Sequence, residues 1–206
     1  LEESGLPWVV VPGNHDVAHP GQPEAFYELF GHYPRVERRA GLEVVLLDSM
    51  GGLPVDERRP FDRLEALRSG FYMQGGVGEA QLERADAMLS EKPSGPRILV
   101  VHHHLRAADD VLDDPREVAA PPALMVPCLD ARRLLDWAAD RDVRLAFHGH
   151  RHAHWPIYAA EDRIACLNSG SSTRGKPTRR ARIVDLAADA SSATVWELAY
   201  DGPSAG

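Results

Sequence analysis

Short apolar runs alternate with amphipathic stretches along the chain, and polar segments punctuate them. Leu6-Pro7-Trp8-Val9-Val10-Val11-Pro12 predicts a strand. Pro23 to Gly31 predicts a short helix, with proline in the first turn, Phe26, Leu29 and Phe30 at helical spacing, and glycine as its stop. Leu42 to Ser49 is a nearly continuous apolar run, the pattern of a strand buried on both faces. Residues 50–78 carry glycine, proline and charge with little periodicity and read as a long excursion. Leu82, Ala85, Met88 and Leu89 recur at three- and four-residue spacing and predict an amphipathic helix over 79–91. A strand at 97–101 follows, then a second aperiodic stretch, 107–127, rich in Asp and Pro. Asp130 is placed to cap a helix running through Trp137, Ala138 and Ala139, and Val143 to Phe147 is the next strand. Ile164–Asn168, Ala181–Leu186 and Ala193–Tyr200 predict three more strands, the last two alternating as in a sheet with one covered face. Alternating β and α followed by a run of β is the order expected of two stacked sheets with helices outside.

With 206 residues and no shift of composition along its length, the chain predicts a single domain over 1–206. Its 31 acidic residues against 23 Lys and Arg give a net charge of −8. That balance disfavours a nucleic-acid backbone or an anionic membrane as partner, and an anionic substrate would need a local positive site. The only cysteines, Cys128 and Cys166, form no C-x-x-C pair, so neither a zinc knuckle nor a disulfide framework is indicated and a reducing, cytoplasmic location is expected. No apolar run approaches the roughly 20 residues of a spanning helix, and no signal peptide is visible.

The polar residues at the ends of three predicted strands change the picture. Gly13-Asn14-His15-Asp16 follows the first, His102-His103-His104 follows 97–101, and Gly149-His150-Arg151-His152 follows Val143–Phe147 and His148. An α/β sheet brings such strand ends to one edge, where open sheets bind ligands. Neutral imidazole is the commonest metal ligand, and an amide oxygen suits Mn, Fe or Zn. A glycine permits the sharp bend that lets Asn14 project its amide, and two histidines at i and i+2 can reach two adjacent ions from one loop. Taken singly, each segment also reads as a turn whose polar groups satisfy the backbone. Asn168 to Gly175 could line a pocket with hydroxyls and the Arg174 guanidinium or be only a turn, and Arg174 stands where a serine-hydrolase elbow needs glycine.

These three blocks, in this order, resemble the calcineurin-like metallophosphoesterase family, with its G-N-H-D/E, a histidine after a hydrophobic strand, and G-H-x-H. The family's preceding D-x-H and G-D-x-x-D/N blocks are not found in this chain, so the resemblance implies an α/β fold, an αββα sandwich of two mixed sheets flanked by helices, N-terminally truncated and lacking its first strand–helix units. It implies two divalent ions, Mn, Fe or Zn, bridging a hydroxide that attacks phosphorus. Carried over, Asn14, His103 and His150 serve the second metal and His152 the first. His103 is chosen because Leu105 occupies the position of the family's proline, and His102 is the alternative. His15 is assigned to the transition state, and Asp16 to orienting it. His104, His154, Asn168 and Arg174 become candidate substrate contacts, with His154 equally able to meet only solvent, while His148 reads as a packed strand-end residue. The stretch from Pro12 to Asp16, Leu46 to Ser49, Gln81-Leu82 and the triple histidine look most like the bacterial class III cyclic-nucleotide phosphodiesterases. The expected partner is a small phosphoester, with no nucleic acid or membrane. A non-catalytic metal-binding or interaction protein of the same fold is the alternative, and the oligomeric state is open.

Overall fold

The computed structural model describes residues 5–17, 22–50, 75–105, 128–150, 158–160, 163–169, 179–188 and 192–200. A six-stranded mixed sheet is built from β1 (Arg35–Arg39), β2 (Leu42–Leu46), β3 (Arg97–Val100), β4 (Val143–His148), β5 (Tyr158–Ala160) and β6 (Ile164–Asn168), in the spatial order β1-β2-β3-β4-β6-β5. The inner strands β2, β3, β4 and β6 are parallel, and β1 and β5 close the edges antiparallel. A separate antiparallel pair, β7 (Arg179–Leu186) and β8 (Ala193–Tyr200), forms a second sheet. The described helices are α1 (Asn14–Val17), α2 (Gln22–Phe30), α3 (Glu79–Asp86) and α4 (Ala131–Ala139).

Strand alternation divides the apolar residues between two faces. Val45, Leu47, Leu99, Val101 and Ala146 pack with Leu82 and Ala85 of α3 and with Leu134, Trp137 and Ala138 of α4. On the other face Val44, Leu46 and Val100 meet Phe26 of α2 and Tyr33. Further along that face, Ile98, Leu145 and Leu167 meet Val184, Leu186 and Val195 of the second sheet. The register between β3 and β4 slips after Arg97, which pairs with Val143 while Ile98 pairs with Leu145. Arg144 is the extra residue, and this bulge lets Val143 and Leu145 serve opposite faces.

The sheet is thus covered by helices on one side and partly by a second sheet on the other, consistent with the fold the motifs imply. On the β7–β8 pair Ile183, Trp196 and Leu198 are about half exposed, and among the described residues no helix covers them. Two expectations are corrected. Leu6–Pro12 joins no ladder among the described residues: Pro7 and Pro12 lack the amide hydrogens a ladder uses. The segment is held instead by Val10 and Val11 against Phe26 and Tyr33, and by the Tyr33 hydroxyl donating to Val10 O at 2.6 Å. Asp130 does stand at the N-cap of α4, yet makes no side-chain capping bond there. Its carboxylate instead accepts Val77 N–H at 3.0 Å and Gly78 N–H at 2.8 Å, tying α4 to the start of α3. Burial would raise its pKa, but those amide bonds together with the bonds from Cys128 and Arg133 outweigh it and hold the carboxyl below its ordinary value.

The β1 strand was not predicted. Arg35-Val36-Glu37-Arg38-Arg39 is a charged edge strand with too little apolar alternation to announce itself. It exists because Ala40 and Gly41 both take positive φ, 48° and 79°, which makes a two-residue hairpin turn matching the strand twist.

At the N-terminal end of the parallel strands, Glu43 and Arg97 are both buried and paired, Arg97 Nε donating to Glu43 Oε2 at 2.6 Å. Arg38 and the Ser90 amide satisfy the other carboxylate oxygen at 3.0 and 3.1 Å. Desolvation works against this ion, but the Arg97 and Ser90 bonds prevail and its pKa lies below the usual value. Arg97→Met should therefore take from the buried Glu43 carboxylate its buried cation, leaving the more exposed Arg38, and cost about 3–5 kcal/mol. Urea unfolding at pH 7 checks this, with a loss under 1 kcal/mol counting against it.

Candidate functional site

All the polar residues of interest sit where the inner strands end. β3 stops at Val100, β4 at His148 and β6 at Asn168, so the chain leaves the sheet at the same edge three times. The exits are lashed together by backbone bonds: Gly149 N–H donates to His102 O at 2.9 Å, and Ser169 N–H to His148 O at 2.9 Å. Asn14 arrives from outside the sheet, at the start of α1. There Asp16 Oδ2 accepts Gly13 N–H at 2.9 Å, and Asp16 N–H donates to Gly13 O at 3.0 Å. Asp16, expected to orient His15, is thus seen closing the turn that presents Asn14.

Three donors converge in this arrangement. Asn14 Oδ1 is 3.0 Å from His102 Nε2 and 3.2 Å from His150 Nδ1, and those two nitrogens are 3.2 Å apart. Asn14 and His150 are buried. His102 comes so close to the Gly13 backbone that a Cβ at position 13 would lie 2.8–3.1 Å from three of its ring atoms. Glycine is needed there for the approach of a ring, as much as for the bend. His150 has φ +68°, a left-handed conformation uncommon outside glycine. Its backbone has left the β4 geometry, so the strand does not dictate where its imidazole lies.

Continued strand alternation would send His102 and His104 to one side and His103 to the other, and the triple histidine does not follow it. The strand ends two residues before His102, so its period of two does not extend through the bend. His102 brings its Nε2 to Asn14 Oδ1. His103 is fully buried, and its Nδ1 lies 2.6 Å from Ser49 Oγ. His104, expected beside the substrate, is also fully buried, its ring edge-to-face with His148 at 4.8 Å. Asn168, another expected substrate contact, is buried at the end of β6 in register with His148. His15 is exposed in the turn after Asn14. His152, His154 and Arg174, most of the stretch 50–78 and all of 107–127 lie outside the described residues.

Sequence reasoning missed the supports beneath these groups. Gln81 of α3 accepts Asp48 N–H and donates to Asp48 O, both at 2.8 Å, so a side-chain amide takes the place of a neighbouring strand where β2 ends. Tyr27 donates to Asp48 Oδ2 at 2.6 Å and brings α2 to the same point. Ser49 and Gly75 then frame His103. A polar pair directly after an apolar strand, Asp48-Ser49, was the available signal, but it named no partner.

Chemically, the trio presents two imidazole nitrogens and one amide oxygen. Their mutual spacing is about that imposed on three donors sharing one ion at roughly 2.1 Å. The donor set therefore fits a divalent transition metal. Among the described residues no group of three or more His, Cys, Asp or Glu is arranged to hold a metal, so the amide of Asn14 is essential to this fit. Burial pushes the Cys166 thiol up to about 12 and raises that of Cys128, with help from Asp130, so neither offers a thiolate. No described helix is long and apolar enough to cross a membrane.

A sequence profile of calcineurin-like phosphoesterases matches residues 1–154, the span that contains all three motif blocks. No curated protein matches the chain.

Two outcomes follow from this geometry. Gly13→Ala should push the His102 ring away from Asn14 and weaken Zn²⁺ or Mn²⁺ binding measured by calorimetry, with little change if the ring can yield. Burial, opposed by a backbone hydrogen bond with Gly149 and reinforced by the Arg182 charge, lowers the pKa of His148 from 6.5 to about 3. The folded state thus holds His148 neutral, while the unfolded chain takes up a proton below about 6.5. Its share of stability is complete above that pH and is lost as pH falls toward 3, by at most about 1.4 kcal/mol per pH unit. Urea titrations at pH 7 and pH 5 should show a smaller loss of stability in His148→Gln than in the wild type, the difference being this residue's share. An unchanged slope would remove His148 from the account.

Proposed function

The chain belongs to the calcineurin-like phosphoesterase family, and from that premise we propose that it hydrolyses phosphate esters at the edge where β3, β4 and β6 end. The convergence of Asn14 Oδ1, His102 Nε2 and His150 Nδ1 carries the reading. These three residues hold one divalent ion, Mn, Fe or Zn, with His102 taking the place that the Leu105 position had assigned to His103. A second ion is served by His152, beyond the described residues. Such ions supply a Lewis acid for the phosphoryl oxygens and a nucleophile at neutral pH.

The chain's own residues do the rest. Gly13, with Asp16 closing its turn, fixes the Asn14 amide, and the Gly149–His102 backbone bond keeps the two imidazoles on one wall. His15 is the residue after Asn14 and remains exposed, so it can meet a substrate held by the trio. It donates a hydrogen bond or a proton to the oxygen that develops charge. Positive charge from the ions is needed locally, because the chain as a whole carries −8 and repels an anionic ester. As the finer assignment we take a phosphodiester such as a cyclic nucleotide, supported by the likeness of the Asn14, Asp48, Gln81 and triple-histidine stretches to that branch of the family.

Metal analysis combined with hydrolysis of bis(p-nitrophenyl) phosphate, p-nitrophenyl phosphate and cyclic AMP tests the proposal. His150→Ala should lose bound metal and turnover together. His15→Ala should keep the metal and lower kcat by about 10²–10⁴-fold. A His15→Ala protein that no longer binds metal would overturn the role given to His15, and a wild type that binds none would overturn the whole reading.

A further inference from the structure

The His103 imidazole is fully buried beside the trio and tightly placed. Ser49 Oγ lies 2.6 Å from its Nδ1 and also accepts the His103 N–H at 3.3 Å, so one hydroxyl holds both the ring and its backbone. On another side the ring lies against Gly75, where any Cβ would overlap it. Its nearest ring neighbour in the site is His150, with centroids 4.4 Å apart and planes tilted by 40°, while His102 stands at 5.1 Å and nearly perpendicular. Meanwhile His150 lies two residues beyond the end of β4 in a left-handed conformation, so its backbone alone does not aim Nδ1 at Asn14 and His102.

We propose that His103 is a positioning residue for the metal site: anchored by Ser49 and seated on the space left by Gly75, it backs the His150 imidazole and aims its Nδ1 at Asn14 and His102. The inference rests on the trio being the metal-binding group. It assigns the three consecutive histidines three different tasks: His102 binds, His103 braces His150, and His104 packs under His148. Ser49 has no contact with the ion in this scheme and acts only through two imidazoles. Supporting groups of this kind typically change metal affinity 10- to 100-fold without changing how many ions are held.

The test uses the whole chain as wild type, Ser49→Ala, Ser49→Thr and His103→Gln. In the metal-free protein, long-range ¹H–¹⁵N spectra of the histidine rings should show one His103 tautomer in the wild type. In Ser49→Ala they should show a mixture, together with shifted His150 resonances, and Ser49→Thr should restore the wild-type pattern. Zn²⁺ titration should then give 10- to 100-fold weaker binding for Ser49→Ala at unchanged stoichiometry, again restored by threonine. Unchanged His150 resonances and unchanged affinity in Ser49→Ala would overturn the proposal. So would loss of one equivalent of Zn²⁺ in a folded His103→Gln protein, which would make His103 a ligand. If His103→Gln does not fold, the serine pair still decides. A wild type that binds no Zn²⁺ would refute the metal reading itself, and the metal-free spectra would show independently whether Ser49 and His103 govern the His150 ring.

Discussion

Everything distinctive about this molecule depends on a parallel sheet whose faces are both used for packing. With α3 and α4 on one side and α2 and the β7–β8 pair on the other, the strands β2, β3, β4 and β6 can carry few polar side chains along their length. Polar groups therefore accumulate where the strands begin and where they end. Because the four run in the same direction, the two sets fall at opposite edges. One edge holds the Glu43–Arg97 ion pair, and the other holds the histidines and Asn14.

The two edges treat buried polarity differently. At the Glu43 edge, opposite charges neutralise each other and backbone groups complete the hydrogen bonding, so the ensemble is closed and serves stability. At the histidine edge no opposite charge is built in beside the imidazoles, and several polar atoms face one another at 3.0–3.2 Å. A set of lone-pair donors gathered that closely is better satisfied by a cation than by its own members. That contrast makes one edge structural and the other chemical.

The precision of the chemical edge comes from backbone and from supports that do not touch a substrate. The amide of Gly149 on His102 O joins two loops whose side chains must meet, and Asp16 closes the turn that carries Asn14. Gln81 completes the exit of β2 as a surrogate strand, and Asp48 gathers Tyr27 and the Met50 amide around it. Two glycines, Gly13 and Gly75, make room for the rings of His102 and His103. The site is therefore held by groups from α1, α2, α3 and three strand exits.

The sequence alone determined the periodic parts: the apolar runs of β2, β3, β4 and β6, the helices at 22–30, 79–86 and 131–139, and the presence of Asn14, His102–His104 and His150 at element ends. Those features are local, set by side-chain period and by the conformational demands of glycine and proline. Tertiary structure decided what depends on distant partners. It made Leu6–Pro12 a packed extended segment instead of a strand, made the charged Arg35–Arg39 an edge strand, and sent the Asp130 carboxylate to Val77 and Gly78 in preference to its own helix. It also gave the three histidines different neighbours. Once β3 ends at Val100 the chain has no fixed period, so which ring meets Asn14 and which meets Ser49 is settled by contacts across more than fifty residues of sequence.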